Sequence, residues 1–229
     1  MKIDSKKHEI LVKTFNQKKV SAWIFDLDGT LINSEWIAEQ VLDQFFKEKG
    51  LLLSESLKHS ITGRRWEDAL NLIMQSLGVK LDVPHEVRLL SRLYLKARSP
   101  IQWIPGALEW IRSQNIPMAI VSGSTREEIQ GVIDEGRLKA FIPQFWGAED
   151  VSRGKPDPEG YLKAIDALEV DPKEVVIFED SIPGVQSAQK TGATVLGVES
   201  SSVDPQDLTV PVVLSDFNEW MAFWNDYHP

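Results

Sequence analysis

Short apolar segments alternate with helix-like patterns along most of this 229-residue chain. The segments are VSAWIF (20–25), PMAIV (117–121), EVVIF (174–178), ATVLGV (193–198) and PVVL (211–214). Three of them are followed by apolar residues at helical spacing, as the second is by Ile129, Val132 and Ile133. Apolar strands that alternate with helices are typical of parallel sheets covered on both faces. We therefore predict an α/β fold with a doubly wound, mostly parallel, Rossmann-like sheet.

Residues 35–100 have a different pattern, with apolar side chains at helical spacing and no convincing strand. This pattern predicts a small α-helical bundle inserted between the first strand and the rest of the sheet. The segment SPIQWIPGA (99–107) supplies the proline and glycine expected of a return linker. The predicted organisation is an N-terminal arm (1–18), a catalytic core (19–34 and 101–229) and an inserted helical cap (35–100).

The N-terminal arm is basic and mildly amphipathic. We expect a solvated helix there, and a role in targeting or partner binding is the alternative. The segment has no apolar stretch of the length found in a signal peptide.

Charge and cysteine content exclude several classes of function. The formal net charge is −9, whereas proteins that bind nucleic acids or anionic membranes are usually basic. The chain has no cysteine, which excludes disulfides, thiolate metal sites and thiol nucleophiles. It also has no run of 18 apolar residues, so no membrane span is expected. We expect a cytoplasmic protein, a monomer or weak homodimer, with no nucleic-acid or membrane partner.

Polar side chains follow several of the predicted strands directly. Asp26 ends the first strand and Ser122 follows the second, while the third is followed by Glu179 and Asp180. Lys155 lies in the loop GKPDP. Taken singly, such residues are more often caps, turns or surface positions. Because ligands of open parallel sheets bind at the carboxyl ends of the strands, their shared placement predicts one site at this sheet edge.

Asp26 and Asp28 are two carboxylates only two positions apart, which is unfavourable unless something neutralises them. A Mg²⁺ ion held by Asp26 and Asp180 would do so and would let a carboxylate approach an anionic phosphate ester. Asp26 could then attack phosphorus, while Asp28 could protonate the leaving alcohol and later deprotonate water. Ser122 and Lys155 could bind phosphoryl oxygens. The pattern predicts phosphoryl transfer with Mg²⁺ as the cofactor.

In this order, DLDGT, VSGST, GKPDP and FEDS resemble the four signature motifs of the haloacid dehalogenase (HAD) superfamily. The inserted bundle is similar to the small α-helical cap of its phosphatase and β-phosphoglucomutase group. The resemblance implies that Asp26 is the nucleophile, Asp28 the general acid/base and Asp180 a metal ligand. It also implies that the Asp28 carbonyl binds the metal and that Glu179 lies near it or binds through water. Phosphate- or substrate-binding roles are implied for Ser122, Gly123, Lys155 and Thr30.

Within the superfamily, the residues present favour a phosphatase. Dehalogenases do not keep the second aspartate, and phosphonoacetaldehyde hydrolases need a cap lysine that nothing marks here. Sugar-phosphate mutases carry a cap histidine, whose position falls on Ala38, and an arginine, whose position falls on Trp66 beside Arg64 and Arg65. We predict a Mg²⁺-dependent phosphatase of a small phosphorylated metabolite, a sugar or polyol phosphate. The alternatives are a mutase of the β-phosphoglucomutase type and a non-catalytic ligand- or partner-binding protein.

Substrate specificity is expected to come from the cap. Trp36 could stack on a sugar, and its alternative is a packing role within the cap. Arg64 and Trp66 lie near a predicted cap loop at Gly63, where Arg64 could contact a second anionic group or remain solvated. We expect the cap to open and close over the site about hinges at 33–35 and 100–106.

Overall fold

The computed structural model describes residues 3–201 and 203–227 of the chain. Its strands are β1 (Ala22–Phe25), β2 (Met118–Val121), β3 (Gln144–Trp146), β4 (Val175–Glu179), β5 (Thr194–Val198) and β6 (Val213–Leu214). They form one sheet of order β3-β2-β1-β4-β5-β6 in which all neighbouring pairs are parallel. The strand order reverses at β1, which confirms the predicted doubly wound sheet and places a ligand crevice at the carboxyl ends of β1 and its neighbours.

Ten α-helices accompany the sheet among the residues that the structure describes. They are α1 (Ser5–Phe15), α2 (Glu35–Glu48), α3 (Glu55–Ile61), α4 (Trp66–Leu77), α5 (Val83–Arg98), α6 (Ala107–Ser113), α7 (Arg126–Glu135), α8 (Glu159–Ala167), α9 (Ile182–Gln189) and α10 (Phe217–Tyr227). Side chains of α1, α6, α7 and α10 pack on one face of the sheet, and those of α8 and α9 pack on the other. No helix within the described ranges is both long enough and apolar enough to cross a membrane.

Strand β3 has no counterpart among the predicted strands. It is three residues long, lies at the edge of the sheet and leaves Gln144 exposed. Pro143 and Gly147 flank it, so no apolar run of strand length marks it in the sequence. The strand exists because β2 offers an unpaired edge, which is a tertiary feature.

The N-terminal segment is not the solvated arm that its basic composition suggests. Leu11 and Phe15 lie one turn apart on α1, are almost fully buried, and pack in the cluster that contains Trp220 of α10. Lys7 adds an ion pair with the buried Glu219, with Nζ and Oε2 3.1 Å apart. The segment is a helix, as predicted, but it is not solvated, because its apolar face docks on the apolar layer of the core.

Helices α2 to α5 form the cap and enclose an apolar cluster of their own, which includes Phe46 and Leu70. The two segments that join the cap to the core run side by side. The Asn33 amide donates a 2.7 Å hydrogen bond to the Gln102 carbonyl across them. The cap thus has its own apolar cluster and is joined to the core through paired linkers.

Candidate active site

The carboxyl end of β1 places Asp26 directly beside β4. Phe25 pairs with Phe178 in the parallel register, and the Asp26 amide donates a 3.0 Å hydrogen bond to the Phe178 carbonyl. The next residue of β4 is Glu179, so the register alone brings two carboxylates together at the edge of the sheet. Asp26 is 5% exposed and Glu179 is fully buried.

Lys155 lies between these two carboxylates. Its ammonium group donates hydrogen bonds to Asp26 Oδ1 and to Glu179 Oε1. Burial lowers the pKa of Lys155, but the charges of Asp26 and Glu179 outweigh burial and hold that pKa well above its ordinary value. Lys155 is therefore a fixed cation at the sheet edge, where the order and placement of the four segments together predicted it.

The Asp26 carboxyl group lies among acids in a dry environment. Burial raises the pKa of Asp26 well above its ordinary value, and the like charges of Glu179 and Asp28 raise it further, while Lys155 opposes them. One ammonium group thus faces more than one carboxylate. A second cation beside Asp26 would stabilise its ionised, nucleophilic form.

Glu179 is already bonded at both carboxylate oxygens. Oε1 accepts from Lys155 and, at 3.1 Å, from the Tyr161 hydroxyl. Oε2 accepts from the Asp180 and Ser181 amides, both at 2.8 Å. This placement fits a carboxylate that orients Lys155 and the following loop, and it argues against Glu179 as a direct metal ligand.

Asp28 accepts hydrogen bonds from four hydroxyl groups. Its Oδ1 accepts from Ser34 Oγ at 2.7 Å and from the Tyr94 hydroxyl, and its Oδ2 accepts from Ser124 Oγ at 2.6 Å and from Ser122 Oγ at 3.4 Å. Burial raises the pKa of Tyr94 well above its ordinary value, and the Asp28 charge raises it further, so this hydroxyl keeps its proton. The four hydroxyls fix the orientation of the Asp28 carboxylate.

Three of these four hydroxyls were not predicted. Ser34 lies between the first strand and the cap, and Ser124 lies in the motif VSGST. Their positions in or near the motifs could have identified both as site residues. Tyr94 lies on α5, 66 residues from Asp28 in sequence, within an ordinary helical pattern. Only the folded chain brings it to the site.

The donor atoms at this edge fit a magnesium ion. Thr30 Oγ1 donates to Asp180 Oδ1 at 2.9 Å, which orients the fully buried Asp180 carboxylate beside the end of β4. Asp26, Asp180 and the Asp28 carbonyl would hold the ion, and oxygen donors of this kind are those that Mg²⁺ prefers. In the described part of the chain, no group of three or more His, Asp or Glu side chains is placed to hold a metal. The predicted set needs only two side chains and one carbonyl.

A cavity of about 230 Å³ lies between the cap and this sheet edge. The core side includes Asp26, Asp28, Ser122 and Gly123, and the cap side includes Ala38, Lys58, His59, Arg64, Trp66 and Tyr94. His59 was assigned no role from the sequence, and its place on the cavity wall is a finding of the structure. Trp36 does not line this cavity and is 38% exposed, because Ala38 holds the cavity-facing position on that turn of α2. The stacking role of Trp36 remains a prediction.

The cap lies directly on the motif loops of the core. A Cβ atom added to Gly123 would come within 3.0 Å of the Arg64 carbonyl carbon. One added to Gly63, where φ is +72°, would lie 2.4 Å from Ser181 Oγ. A side chain at Gly63 would overlap Ser181, and one at Gly123 would press on the Arg64 backbone, so the two glycines allow the cap to lie close against the core.

The predicted cap residues Arg64 and Trp66, with the neighbouring Arg65, contact the core rather than open solvent. Arg64 Nη1 donates to the Lys155 carbonyl at 3.3 Å, and Arg65 Nη1 donates to the Val151 carbonyl at 3.1 Å. Trp66 Nε1 donates to Glu128 Oε1 at 3.2 Å. The two arginines therefore bind the loop that carries Lys155. These hydrogen bonds would compete with the predicted contact of Arg64 to a second anionic group of a substrate.

Lys58 is the other cationic side chain of the cap wall. Its Nζ pairs with Asp43 at 2.7 Å, Glu39 at 3.0 Å and Glu55 at 3.1 Å. Hydrogen bonds to Asp43 and Glu39 hold the pKa of Lys58 well above its ordinary value. The Lys58 charge is thus neutralised by its own cap before any ligand enters the cavity.

Comparison with known proteins identifies relatives that match most of this chain. The profile of the haloacid dehalogenase-like hydrolase family matches residues 23–198. The validoxylamine A 7′-phosphate phosphatase of Streptomyces hygroscopicus subsp. limoneus is 29% identical over 199 residues, which cover 86% of this chain and 93% of that protein. Hexitol phosphatase A of Escherichia coli is 29% identical over 205 residues, covering 88% and 93%. A hydrolase from Pseudomonas syringae superposes with a TM-score of 0.80 at 21% identity, covering 90% of this chain and 98% of that one.

Proposed function

Because this chain belongs to the haloacid dehalogenase-like hydrolase family, as its four motifs predicted, we propose that it is a Mg²⁺-dependent phosphatase. Its substrate is a small phosphate monoester of a sugar or polyol. The reaction passes through an aspartyl phosphate on Asp26.

The main support for this proposal is that two aspartates with different environments border the same cavity. Asp26 is buried against Lys155, whereas Asp28, two residues later, is surrounded by hydroxyl groups and borders the same cavity. One carboxylate is thus held as a nucleophile beside a fixed cation, and the other is oriented for proton transfer.

The chemistry follows from these positions. An Asp26 oxygen attacks phosphorus and the ester P–O bond breaks, while Asp28, entering the step in its protonated form, gives its proton to the leaving alcohol oxygen and becomes the carboxylate that the four hydroxyls hold. Asp28 then takes a proton from a water molecule, which attacks phosphorus and releases phosphate from Asp26. Lys155 and Ser122 bind the phosphoryl oxygens throughout. When bound, Mg²⁺ supplies the positive charge that allows an anionic ester to approach these carboxylates.

The cap favours hydrolysis over a mutase reaction. A mutase binds a second phosphate, which requires cationic donors on the cap wall. Here Arg64 and Arg65 donate to main-chain carbonyls of the core, and Lys58 is enclosed by three carboxylates. Ala38 occupies the position of the mutase histidine and borders the cavity without a polar side chain.

The cavity wall also favours a substrate whose organic part is uncharged and carries hydroxyl groups. The residues that line the cavity include more acids than permanent cations. The acids are Asp26, Asp28, Glu39 and Glu55, and the cations are Lys58 and Arg64. A second anionic group would be repelled there, whereas hydroxyls can both donate to carboxylates and accept from Lys58 or His59. The two curated relatives are named for the phosphates of validoxylamine A and of hexitols, which is compatible with such a substrate.

A panel of phosphate monoesters tests the proposal. Phosphate release would be measured with Mg²⁺ and with a chelator, for the wild type, Asp26→Asn and the matched control Asp166→Asn, an exposed residue of α8. Release should require Mg²⁺ and should fall by about 10³-fold or more in Asp26→Asn, as expected for a lost covalent nucleophile. Asp166→Asn should release phosphate at the wild-type rate. Release from neutral polyol monophosphates should be faster than release from bisphosphates.

Two results would contradict this function. Undiminished release by Asp26→Asn would show that the nucleophile is misassigned. Absence of release from every ester would favour the mutase, tested with β-glucose 1-phosphate and a bisphosphate activator, and after it a non-catalytic binding protein.

A further inference from the structure

We infer that Tyr94, a cap residue, is a positioning residue that sets the orientation of Asp28 for proton transfer to the leaving group. The inference rests on the proposed function, since it assigns Tyr94 a part in that reaction. It makes the helical cap a contributor to the chemistry as well as to the shape of the cavity.

The geometry around Tyr94 leaves its hydroxyl one clear use. The side chain is 2% exposed, the ring packs edge-on against Trp66 with centroids 5.8 Å apart, and the Arg98 guanidinium lies 5.3 Å from the ring centroid. These contacts fix the ring from within the cap. The hydroxyl then reaches across the cavity and donates to Asp28 Oδ1.

Three of the hydrogen bonds to Asp28 come from the core and its first linker, and the fourth, from Tyr94, comes from the cap. The Oδ2 atom accepts from Ser124 and Ser122, which belong to the core loop after β2. The Oδ1 atom accepts from Tyr94 and from Ser34, the residue that precedes α2. Loss of Tyr94 would leave Oδ1 with Ser34 as its single protein donor and would loosen the orientation of the carboxylate about its last side-chain bond.

A purely structural role and a positioning role predict different kinetics. A proton from Asp28 matters most when the leaving group is a basic alkoxide and matters little when it is p-nitrophenolate, which leaves without protonation. A distorted site would slow both esters alike. The ratio kcat/KM reports the first phosphoryl transfer and therefore compares the two leaving groups directly.

The test compares Tyr94→Phe with wild type on the best alkyl phosphate of the panel and on p-nitrophenyl phosphate. We expect kcat/KM for the alkyl ester to fall by about tenfold or more and that for the aryl ester by less than about threefold. The variant keeps the ring and its contacts, so its thermal midpoint should stay close to the wild-type value. Tyr227→Phe, at the end of α10, is the control and should change neither ester.

Ser34→Ala removes the other donor to Oδ1 and should show the same dependence on the leaving group. Because the two hydroxyls share one acceptor, the fold-loss in kcat/KM of the double variant should differ from the product of the two single losses. Equal losses on both esters, or no loss in Tyr94→Phe, would overturn the inference while leaving the phosphatase intact. A wild type that releases no phosphate from either ester would instead refute the proposed function.

Discussion

Trp66 on cap helix α4 donates a 3.2 Å hydrogen bond from its indole nitrogen to Oε1 of Glu128, a fully buried residue of core helix α7. The other oxygen of Glu128 accepts from the Thr125 amide at 2.7 Å and closes the N-terminal capping box of that helix. Burial raises the pKa of Glu128. One carboxylate therefore holds the closed cap and also orders the loop after β2, which carries Ser122.

Removing the Trp66 indole donor should weaken this connection. In Trp66→Phe the buried Glu128 loses a partner, which we expect to lower the free energy of unfolding by about 1–2 kcal/mol. Denaturation in urea would measure it. The control Trp36→Phe changes a side chain that is 38% exposed and should lower stability far less. Equal losses in the two variants would show that ring volume, and not the hydrogen bond to Glu128, matters at residue 66.

Gly184 on α9 should tolerate no side chain. A Cβ atom there would lie 1.6 Å from Glu179 Oε1 and 2.0 Å from its Cδ, so Gly184→Ala must displace the carboxylate that holds Lys155. We expect turnover to fall by about tenfold or more, because small displacements of a positioned group are costly. Phosphate release and a thermal melt would measure the effect.

The matched control is Gly131→Ala, also within a helix. Its added Cβ would meet only the tip of the Arg98 side chain, at 3.3 Å. Activity should stay near wild type there, because a side-chain end can move where a packed carboxylate cannot. Full activity in Gly184→Ala would contradict the geometry described for Glu179.

Lys155 should stabilise the fold as well as bind phosphate. Lys155→Met leaves Asp26 and Glu179 facing each other in a buried site, and loss of one partner from a buried ion pair costs about 3–5 kcal/mol. Adding Glu179→Gln to Lys155→Met should restore part of that loss, since one uncompensated charge is removed. Urea unfolding of the single and double variants would measure this, and Lys13→Met, at the exposed pair with Glu9, should change little. Additive losses would argue against direct coupling of Lys155 and Glu179.

The loop that carries Lys155 should become sensitive to acid through Glu159. The Lys163 ammonium, together with the Ser152 and Arg153 amides, lowers the pKa of Glu159 from 4.5 to about 2. A carboxyl group with a lowered folded-state pKa stabilises the fold fully above its unfolded pKa, and the stabilisation is lost as the pH falls toward the folded value.

The test compares thermal midpoints of wild type and Glu159→Gln across acidic pH. The wild type should melt higher near neutrality, and the difference should shrink between 4.5 and about 2 and vanish below that range. Glu169→Gln, exposed after α8, is the control. A difference that persists unchanged at the lowest pH would show that the carboxylate charge is not responsible.

The strand ends and their chemistry followed from local pattern. Asp26, Ser122 and Asp180 could be placed at one sheet edge because a parallel sheet brings the carboxyl ends of its strands together whatever the loops between them do. The helical nature of 35–100 was likewise visible as apolar periodicity. These features depend on patterns among residues a few positions apart, which can be read directly from the sequence.

Tertiary packing decided the rest. Tyr94 reaches Asp28, Trp66 reaches Glu128 and α1 docks on α10 only because separate elements meet in space. Edge strand β3 likewise forms only because β2 leaves its hydrogen-bonding edge open. Such contacts join residues dozens of positions apart, and each depends on the shapes of two already folded surfaces. Sequence periodicity indicates that a face is apolar or that a hydroxyl is available, whereas packing alone determines which partner it meets.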